Sequence, residues 1–570
     1  MDRTGVRTHG RGRRGRLLRL LGLVGAIGAM GCKESTSASV GPCTAAGFAV
    51  ALAVGAYVAI DPATDSGCAV FPANGSGAEI EYLLVPQLAT GVPGQQSGFR
   101  LLGDTIRPAA PSAPLAHLTG APSAAAAFHT FLRRGDEQRS WGFQPEHLRA
   151  PYLTAPSEAA SPPAYGSARQ FNVCARLDCS VFESVTGTVR AVKSKVAIYV
   201  DNAAPAPPDG LDSLALDSLA SLFDTKLYAV DTAAFGRESD IDSNTVVLVL
   251  MTAKVNKLVP ASDCSTSGFV AGFFLGADID PLFQSDPRSN KGEIFYSLVA
   301  DPSGTLSCSH STTEVERVVP VTFVHEFQHM ISYNQHVLER GGNGEVLWLN
   351  EGFSHYAEEL AGRTYASGTP EFSRFTVGNL LNAYEYLDST RNHFLLPTAG
   401  IGSLAERGAA WLFVRYLVDR YAGGTTVTAW NAFTRQLVET SQTGAQNIAT
   451  VAGDPFAAIV TRWALANWVS DLPAFTAPAE LRYDSWNFRA TYASLNTQAP
   501  TVFPKAYPLT PTTSNGRQTS LTGTLRAGSG VYHRATQAAG TAGFTTLFST
   551  SGGGLLNSGF VPRLNVIRIR

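Results

Sequence analysis

The pattern of apolar and polar positions changes several times along the chain. Residues 42–105 carry short apolar runs between Gly, Pro and Asp turns, which is typical of a small β-sandwich. Four strand-like runs follow, at 187–192, 195–201, 245–251 and 292–299, and helical patterns then dominate residues 314–470. The chain ends on the alternating run 562–570, which predicts a second β-sandwich-like domain.

This pattern predicts an α+β fold with six segments. They are a signal segment (1–32), a polar tether (33–41), an N-terminal β domain (42–105), a linker rich in Pro, Ala and Ser (106–168), a central α+β domain (169–478) and a C-terminal β domain (479–570). The linker also fits a processed pro-segment, and Arg133 and Arg134 within it are interpreted as solvated charges.

The N-terminus has the features of an export signal. Arginines precede the apolar run 20–30, and small residues stand just before Cys32, as in bacterial lipoproteins whose cysteine is lipidated. Arg13-Arg14 also fits a twin-arginine signal. The alternatives are an ordinary cleaved signal and a retained single-pass anchor, although the run is shorter than the roughly 20 residues that a span needs. We expect an exported protein of the bacterial cell envelope, either an outer membrane lipoprotein held through Cys32 or a secreted protein.

Cysteine parity agrees with an oxidising compartment. Of the seven cysteines, Cys32 is assigned to the lipid anchor, which leaves six in neighbouring couples. We favour local disulfides among the possible connectivities: Cys43 with Cys68, Cys174 with Cys179, and Cys264 with Cys308.

Composition narrows the class of partner. With 570 residues, 44 % of them apolar, and a formal net charge of -2, the chain can bury several cores. It shows no basic excess of the kind that nucleic-acid binding requires. We therefore expect no nucleic-acid partner.

The strongest chemical signal is the segment His325-Glu326-Phe327-Gln328-His329. In a helix, histidines four residues apart lie on one face and reach one metal ion, while the glutamate beside the first faces a water molecule on that metal. Zinc suits these ligands, and a catalytic zinc keeps three protein ligands. Glu351 is the best candidate for the third.

The flanking residues predict two helices. Ser311 to Glu314 supplies N-cap candidates for the first, although Pro320 is expected to kink or restart it just before the motif. Asn350 is the expected N-cap of a second helix over 351–360. On that helix Glu351, His355 and either Glu358 or Glu359 share a face.

These residues resemble a known family. The segment WLNEGFSHYAEE (348–359) resembles the third-ligand helix of the gluzincin metallopeptidases, and together with HEFQHMISYNQ it is most similar to the hyicolysin-type neutral zinc metallopeptidases. The similarity runs through about residues 190–425, including 197–201, 235–242, 272–274 and 289–296. It implies a zincin-type metallopeptidase domain flanked by the two β-sandwich-like domains. It also implies that His325, His329 and Glu351 bind zinc and that Glu326 is the general base.

Two departures from the family leave questions open. The 21 residues from 330 to 350 form a longer gap than in aminopeptidase relatives, which predicts an inserted loop around 340–344. The tyrosine that those aminopeptidases place before a Lys-Gly-Ala segment is missing from 404–409, which leaves several candidates for the group that stabilises the oxyanion. The candidates, each of which also fits a structural role, are Tyr384, Tyr386, His393 and Tyr416.

Other polar residues also allow more than one interpretation. His355 fits a hydrogen bond to a ligand or to Glu326, a substrate contact, or a surface position. Asp240, Asp242 and Asn244 resemble the opening of a calcium (Ca²⁺) loop. The glycine and the final glutamate of such a loop are absent, which favours a polar turn over a calcium site. Residues 291–296 are either an edge strand that pairs with substrate or a buried central strand.

The sequence thus predicts an exported zinc metalloendopeptidase that acts on protein or peptide substrates through a zinc-activated water, with Glu326 as the base. An aminopeptidase is one alternative, but the chain lacks a Gly-x-Met-Glu-Asn segment to hold a free amine. The other is a non-catalytic surface lipoprotein that binds polysaccharide or a partner. The intact Glu326 argues against it.

Overall fold

The computed structural model describes residue 43 and residues 47–64, 66–106, 122–142, 161–398 and 400–570. The predicted signal segment, the tether and Cys32 lie outside these residues. Within them, no helix is both long and apolar enough to cross a bilayer. The three predicted disulfides are confirmed: Cys43–Cys68, Cys174–Cys179 and Cys264–Cys308.

The structure is mixed α and β, as predicted. Its strands in the described part are β1 (Phe48–Ala49), β2 (Tyr57–Ile60), β3 (Cys68–Phe71), β4 (Ile80–Leu88), β5 (Gln96–Gly103), β6 (Ala168–Cys174), β7 (Phe182–Val192), β8 (Val196–Asp201), β9 (Val247–Met251), β10 (Gly272–Phe274), β11 (Ile294–Ser297), β12 (Thr512–Asn515), β13 (Ser520–Arg526), β14 (His533–Gln537), β15 (Phe544–Thr550) and β16 (Pro562–Arg568).

Its α-helices in the described part are α1 (Ala124–Gln138), α2 (Ser213–Leu222), α3 (Tyr228–Phe235), α4 (Ala253–Asn256), α5 (Ala261–Ser267), α6 (Thr312–Tyr333), α7 (Leu347–Gly362), α8 (Pro370–Asp388), α9 (Leu404–Tyr421), α10 (Val427–Val438), α11 (Gly444–Ala452), α12 (Phe456–Val469) and α13 (Phe488–Gln498). A π-helical turn, Phe223–Leu227, joins α2 to α3, and another, Asn334–Leu338, extends α6.

A six-stranded sheet lies beside the helices, in the order β10-β11-β9-β8-β7-β6. Strands β8, β9 and β11 run parallel, and every residue of β9 and β11 is buried, as expected for strands covered on both faces. The suggestion that residues 291–296 form the substrate edge is therefore wrong, because β11 is paired on both sides. The edge strand next to it is β10.

Two five-stranded sheets use strands from both ends of the chain. Their orders are β1-β3-β15-β5-β13 and β12-β14-β4-β16-β2. Strand β15 pairs with both β3 and β5, and β16 pairs with both β2 and β4. This arrangement differs from the expected pair of separate β domains, because neither segment alone can fill either sheet. The N-terminal and C-terminal strands interleave instead.

Strand β4 shows how this pair of sheets meets the helical region. All nine of its residues are buried. Tyr82 and Leu84 pack in the core between the two sheets, whereas the alternate residues Leu83 and Val85 pack in the core of the helical region. Since successive side chains of a strand point to opposite faces, one apolar strand serves both cores.

Candidate active site

Helix α6 carries the His-Glu-x-x-His segment and is continuous through Pro320, so the predicted restart of the helix is wrong. Proline removes one backbone hydrogen bond from a helix. The helix nevertheless buries Val315 and Val319 before the motif and Phe323 and Val324 next to it. Packing on both sides of Pro320 therefore offsets the missing bond and keeps the motif in register.

Helix α7 begins earlier than predicted, at Leu347, so Asn350 lies inside the helix and is not its N-cap. The side chain of Asn350 has another partner, because its Oδ1 lies 3.0 Å from Nδ1 of His329. The loop predicted around 340–344 is present as a non-helical stretch over 341–346. The buried Glu345 holds this stretch by accepting from the backbone N–H groups of Val346 and Gly444.

The two helices bring the three predicted metal ligands together. His329 Nε2 lies 3.5 Å from Glu351 Oε1, and His325 Nε2 lies 3.9 Å from Glu351 Oε2. Two donors that are each about 2.0–2.2 Å from a tetrahedral zinc lie roughly 3.3–3.6 Å apart. These side chains therefore fit a zinc ion, with small shifts.

Each imidazole is oriented through its other nitrogen. His325 Nδ1 lies 2.7 Å from Glu358 Oε1, and His329 Nδ1 bonds Asn350 as described above. Such bonds fix the tautomer and direct Nε2 toward the metal. His355 Nδ1 lies 3.2 Å from the same oxygen of Glu358, so His355 is placed beside His325 and is largely buried.

Burial and neighbouring side chains shift the pKa values of three residues in this group. Burial lowers the pKa of His329 to about 3, which keeps its imidazole neutral and able to bind a metal. Burial raises the pKa of Glu351, but the two histidines of α6 and Arg407 more than offset this and hold it well below its ordinary value. Burial acts in the same direction on Glu358, yet His355 and His325 bring its pKa down to about 2.

The adjacent glutamate, Glu359, belongs to a different environment. Its oxygens accept from the indole N–H groups of Trp411 (2.9 Å) and Trp486 (2.8 Å), and from Arg363 and Arg415. It is fully buried and points away from the histidines of α6. Of the two glutamates left open by the sequence, Glu358 is the one that shares the face of Glu351.

Comparison with known proteins supports a metalloprotease. Over 142 residues, 24 % of this chain, the sequence is 32 % identical to the neutral metalloprotease ShpI of Staphylococcus hyicus. The chain spans 29 % of the length of that relative. No family model matches the chain.

Helix α1, which the sequence pattern did not predict, forms one wall of the site. His129 Nδ1 lies 3.6 Å from Glu326 Oε1, and Arg133 Nη2 lies 3.7 Å from Glu326 Oε2. The same oxygen of Glu326 accepts from the backbone N–H of Phe274, and Arg133 donates to the Phe274 carbonyl at 2.9 Å. Burial raises the pKa of Glu326, and Arg133 opposes that rise.

Helix α1 is part of the main core, although its residues were assigned to a linker. Phe128, Leu132 and Trp141 are buried in that core, and Arg133, interpreted as a solvated charge, is completely buried and lies 3.2 Å from Asp136. A signal was available in the sequence: Ser123 caps the helix, and apolar residues recur at helical spacing after an alanine run.

Helix α1 also restricts the sheet edge beside the site. Peptide substrates of metallopeptidases can add to an edge strand through backbone hydrogen bonds. Here the edge strand is β10, and both backbone polar groups of Phe274 are already bonded, to Glu326 and Arg133. An extended peptide that paired with β10 at Phe274 would have to displace the Arg133 guanidinium.

The four candidates for oxyanion stabilisation are bonded elsewhere. The Tyr384 hydroxyl accepts from the backbone N–H of Lys505, and the Tyr416 hydroxyl donates to the Glu480 carbonyl. The Tyr386 hydroxyl lies 3.1 Å from Ser529 Oγ. His393 Nε2 lies 3.1 Å from Ser389 Oγ. Arg407 lies in the segment where the tyrosine of the aminopeptidase relatives is missing, and it contributes a positive charge near Glu351 and His129. Its Nε is buried without a hydrogen-bond partner among the described residues.

Proposed function

We propose that this protein is a zinc-dependent metalloendopeptidase. The observation that carries the proposal is the convergence of His325 Nε2, His329 Nε2 and the Glu351 carboxylate, with the other nitrogen of each imidazole held by a side chain of α7. Histidines without a ligand role would not need their Nδ1 atoms fixed so that both Nε2 atoms face one carboxylate. The partial likeness to a neutral metalloprotease supports the same chemistry.

When bound, zinc would polarise the scissile carbonyl and lower the pKa of a water molecule. The residues of the chain do the rest. Glu326 accepts the proton of the attacking water at its carboxylate and delivers it to the leaving amine, a step typically worth on the order of 10² to 10⁴-fold. The Phe274 N–H and Arg133 hold this carboxylate in place.

We also propose that a group other than the tyrosine of the aminopeptidase relatives stabilises the oxyanion. Among the described residues, Arg407 and His129 are two donors near Glu351 that have no ligand role in this scheme. In other hydrolases, removing one side-chain donor to the developing negative charge lowers kcat by about 10² to 10³-fold. Arg407 is the stronger candidate, because burial lowers the pKa of His129 to about 3 and leaves that imidazole uncharged.

The function is tested with Glu326→Gln, which keeps the three metal ligands. We expect one zinc per chain in both proteins, and a loss of casein cleavage of at least about 10²-fold in the variant. Glu316→Gln, on an exposed position of the same helix, is the matched control and should cleave normally. If wild type and Glu326→Gln both hold zinc and neither cleaves casein, the metalloprotease proposal is wrong.

A peptide with a blocked N-terminus distinguishes an endopeptidase from an aminopeptidase. An N-acetylated peptide has no free amine, so an endopeptidase cleaves it and an aminopeptidase does not. We expect internal cleavage of acetylated peptides, mapped by mass spectrometry. Products released stepwise from free N-termini alone would instead show an aminopeptidase.

We further propose that the protein is exported and held at the cell envelope through a lipid on Cys32. The support is the arginine-rich and apolar segment before it, together with the three disulfides, which use the six other cysteines. Cys32→Ser should move the protein from the membrane fraction to the soluble fraction. Equal membrane retention of this variant would contradict lipid anchoring.

A further inference from the structure

A second group of carboxylates lies outside the active site, at the amino ends of two neighbouring strands. It consists of Asp240, Asp242 and Glu293, and we call it the acidic cluster. Carboxylate oxygens of its three residues lie within 4.8 Å of one another. Asp240 and Asp242 belong to the turn before β9, and Glu293 immediately precedes β11. Since β9 and β11 are adjacent and parallel, their starts lie side by side.

Glu293 is the member that the sequence pattern did not include. It is 1 % exposed, and its Oε1 accepts from Ser239 Oγ (2.6 Å) and from the Ile241 N–H (3.0 Å). Its Oε2 is buried and has no hydrogen-bond partner within the described part of the chain. A buried carboxylate oxygen without a partner is costly, and it points to a group that the protein alone does not provide.

The charges around the acidic cluster do not balance. Arg169 is the one cation recorded within ion-pair distance among the described residues, with its Nη1 3.9 Å from Asp242 Oδ2 and its side chain partly exposed. Asp242 otherwise bonds Asn244, through the backbone N–H at 3.2 Å and the side-chain amide at 2.7 Å. Burial and the nearby Asp242 raise the pKa of Glu293 to about 7. Three carboxylates thus face one guanidinium.

We propose that the acidic cluster is a calcium site in which Asp240, Asp242 and Glu293 bind Ca²⁺ through oxygen. Ca²⁺ is favoured because every donor is oxygen and because it accepts irregular shells of six to eight ligands that water and carbonyl groups complete. Zinc prefers nitrogen and sulfur donors at four positions, as in the active site. The bound ion would join the turn before β9 to the start of β11 and so brace the strand next to the edge strand β10. This proposal does not depend on the peptidase activity.

The test measures binding and stability of the zinc-loaded protein, without using proteolysis. We expect isothermal titration with CaCl₂ to show one site with a Kd of about 10⁻⁴ M, within the range of calcium sites in proteins. Calcium at about 100 times that Kd should raise Tm by about 2 to 3 °C for a chain of this size. Magnesium at the same concentration should have a much smaller effect, because Mg²⁺ gives up its water reluctantly.

Variants connect this response to the acidic cluster. Glu293→Gln and Asp242→Asn should abolish the calcium-dependent rise in Tm, and Asp209→Asn, an exposed aspartate outside the cluster, should retain it. If Glu293→Gln does not fold, Asp240→Asn, at an exposed position, serves in its place. An equal calcium response in all variants, no binding at millimolar calcium, or an equal response to magnesium would overturn the assignment.

Discussion

Helices α6 and α7 and the two five-stranded sheets are assembled over very different distances along the chain. The histidines of α6 meet their partners on α7 after 21 and 33 positions. In the paired sheets, by contrast, Asn565 of β16 donates to Gln87 of β4 across 478 positions. Both regions are buried and well bonded, but only the helix pair is organised by neighbouring segments.

Because of this difference, we expect the two regions to respond differently to substitutions. The helix pair should keep its fold when a proposed metal ligand is replaced, because Glu359 and the two tryptophans that donate to it hold α7 independently of the candidate site. The paired sheets have no such separation of roles, since β15 and β16 each pair with two N-terminal strands. Damage to a C-terminal strand should therefore reach the N-terminal strands.

The largest expected effect concerns the third metal ligand. Glu351→Ala should lose zinc on dialysis and all measurable casein cleavage, while its circular dichroism spectrum stays unchanged. Glu358→Gln is the control: it alters a residue that orients His325, so zinc affinity should fall by only about 10 to 100-fold. If Glu351→Ala keeps one equivalent of zinc and His355→Ala does not, the third ligand is His355.

The second prediction tests whether the two ends of the chain share their sheets. Phe548 of β15 is buried against Phe99 of β5, with ring centroids 6.2 Å apart. Phe548→Ala should lower the free energy of unfolding by about 3–5 kcal/mol. Hydrogen exchange should accelerate in β5 and β15 together.

Tyr165→Ala provides the control for this experiment, because the side chain is 68 % exposed and its loss should change stability by less than about 0.5 kcal/mol. Faster exchange in β15 with unchanged exchange in β3 and β5 would favour two separate β domains.

The third prediction asks whether α1 belongs to the active site. Arg133→Gln removes a fully buried cation from Asp136 and Glu326, and should cost about 3 kcal/mol of stability. Because Arg133 lowers the pKa of Glu326, the acidic limb of the pH–rate profile should move to higher pH. Arg133→Lys keeps the charge and should restore the limb. An identical shift in both variants would exclude this electrostatic role.

The smallest effect is a pH dependence in the paired sheets. Burial lowers the pKa of His533 from 6.5 to about 4. Between these values the unfolded chain binds a proton that the folded protein does not, so stability falls as the pH drops from about 6.5 to about 4. The loss is at most about 3 kcal/mol.

Urea unfolding across this pH range should show the decline, and His533→Gln should reduce it. Parallel curves for the two proteins would mean that another group titrates. Helices α6 and α7 should add little to this pH dependence of stability when zinc is bound, because a histidine that binds zinc does not take up a proton in this pH range.

The sequence by itself determined which side chains of α6 and α7 form the candidate site. Motif spacing places His325, His329 and Glu326 through the repeat of a single helix, and the local disulfides and the strands β7, β8, β9 and β11 follow from equally short-range patterns. It also indicated Glu351, although the cap at Asn350 was wrong. Helix boundaries depend on packing, and the Asn350 side chain is used by His329 instead.

Only the tertiary structure decided which distant segments meet. It interleaved strands from the two ends of the chain, placed β10 at the sheet edge, and brought His129 and Arg133 to Glu326 and Glu293 to Asp242. Local periodicity describes which face of an element is apolar, but not which face of another element covers it. That choice rests on the burial of two complementary surfaces together, and no single segment of the chain contains both.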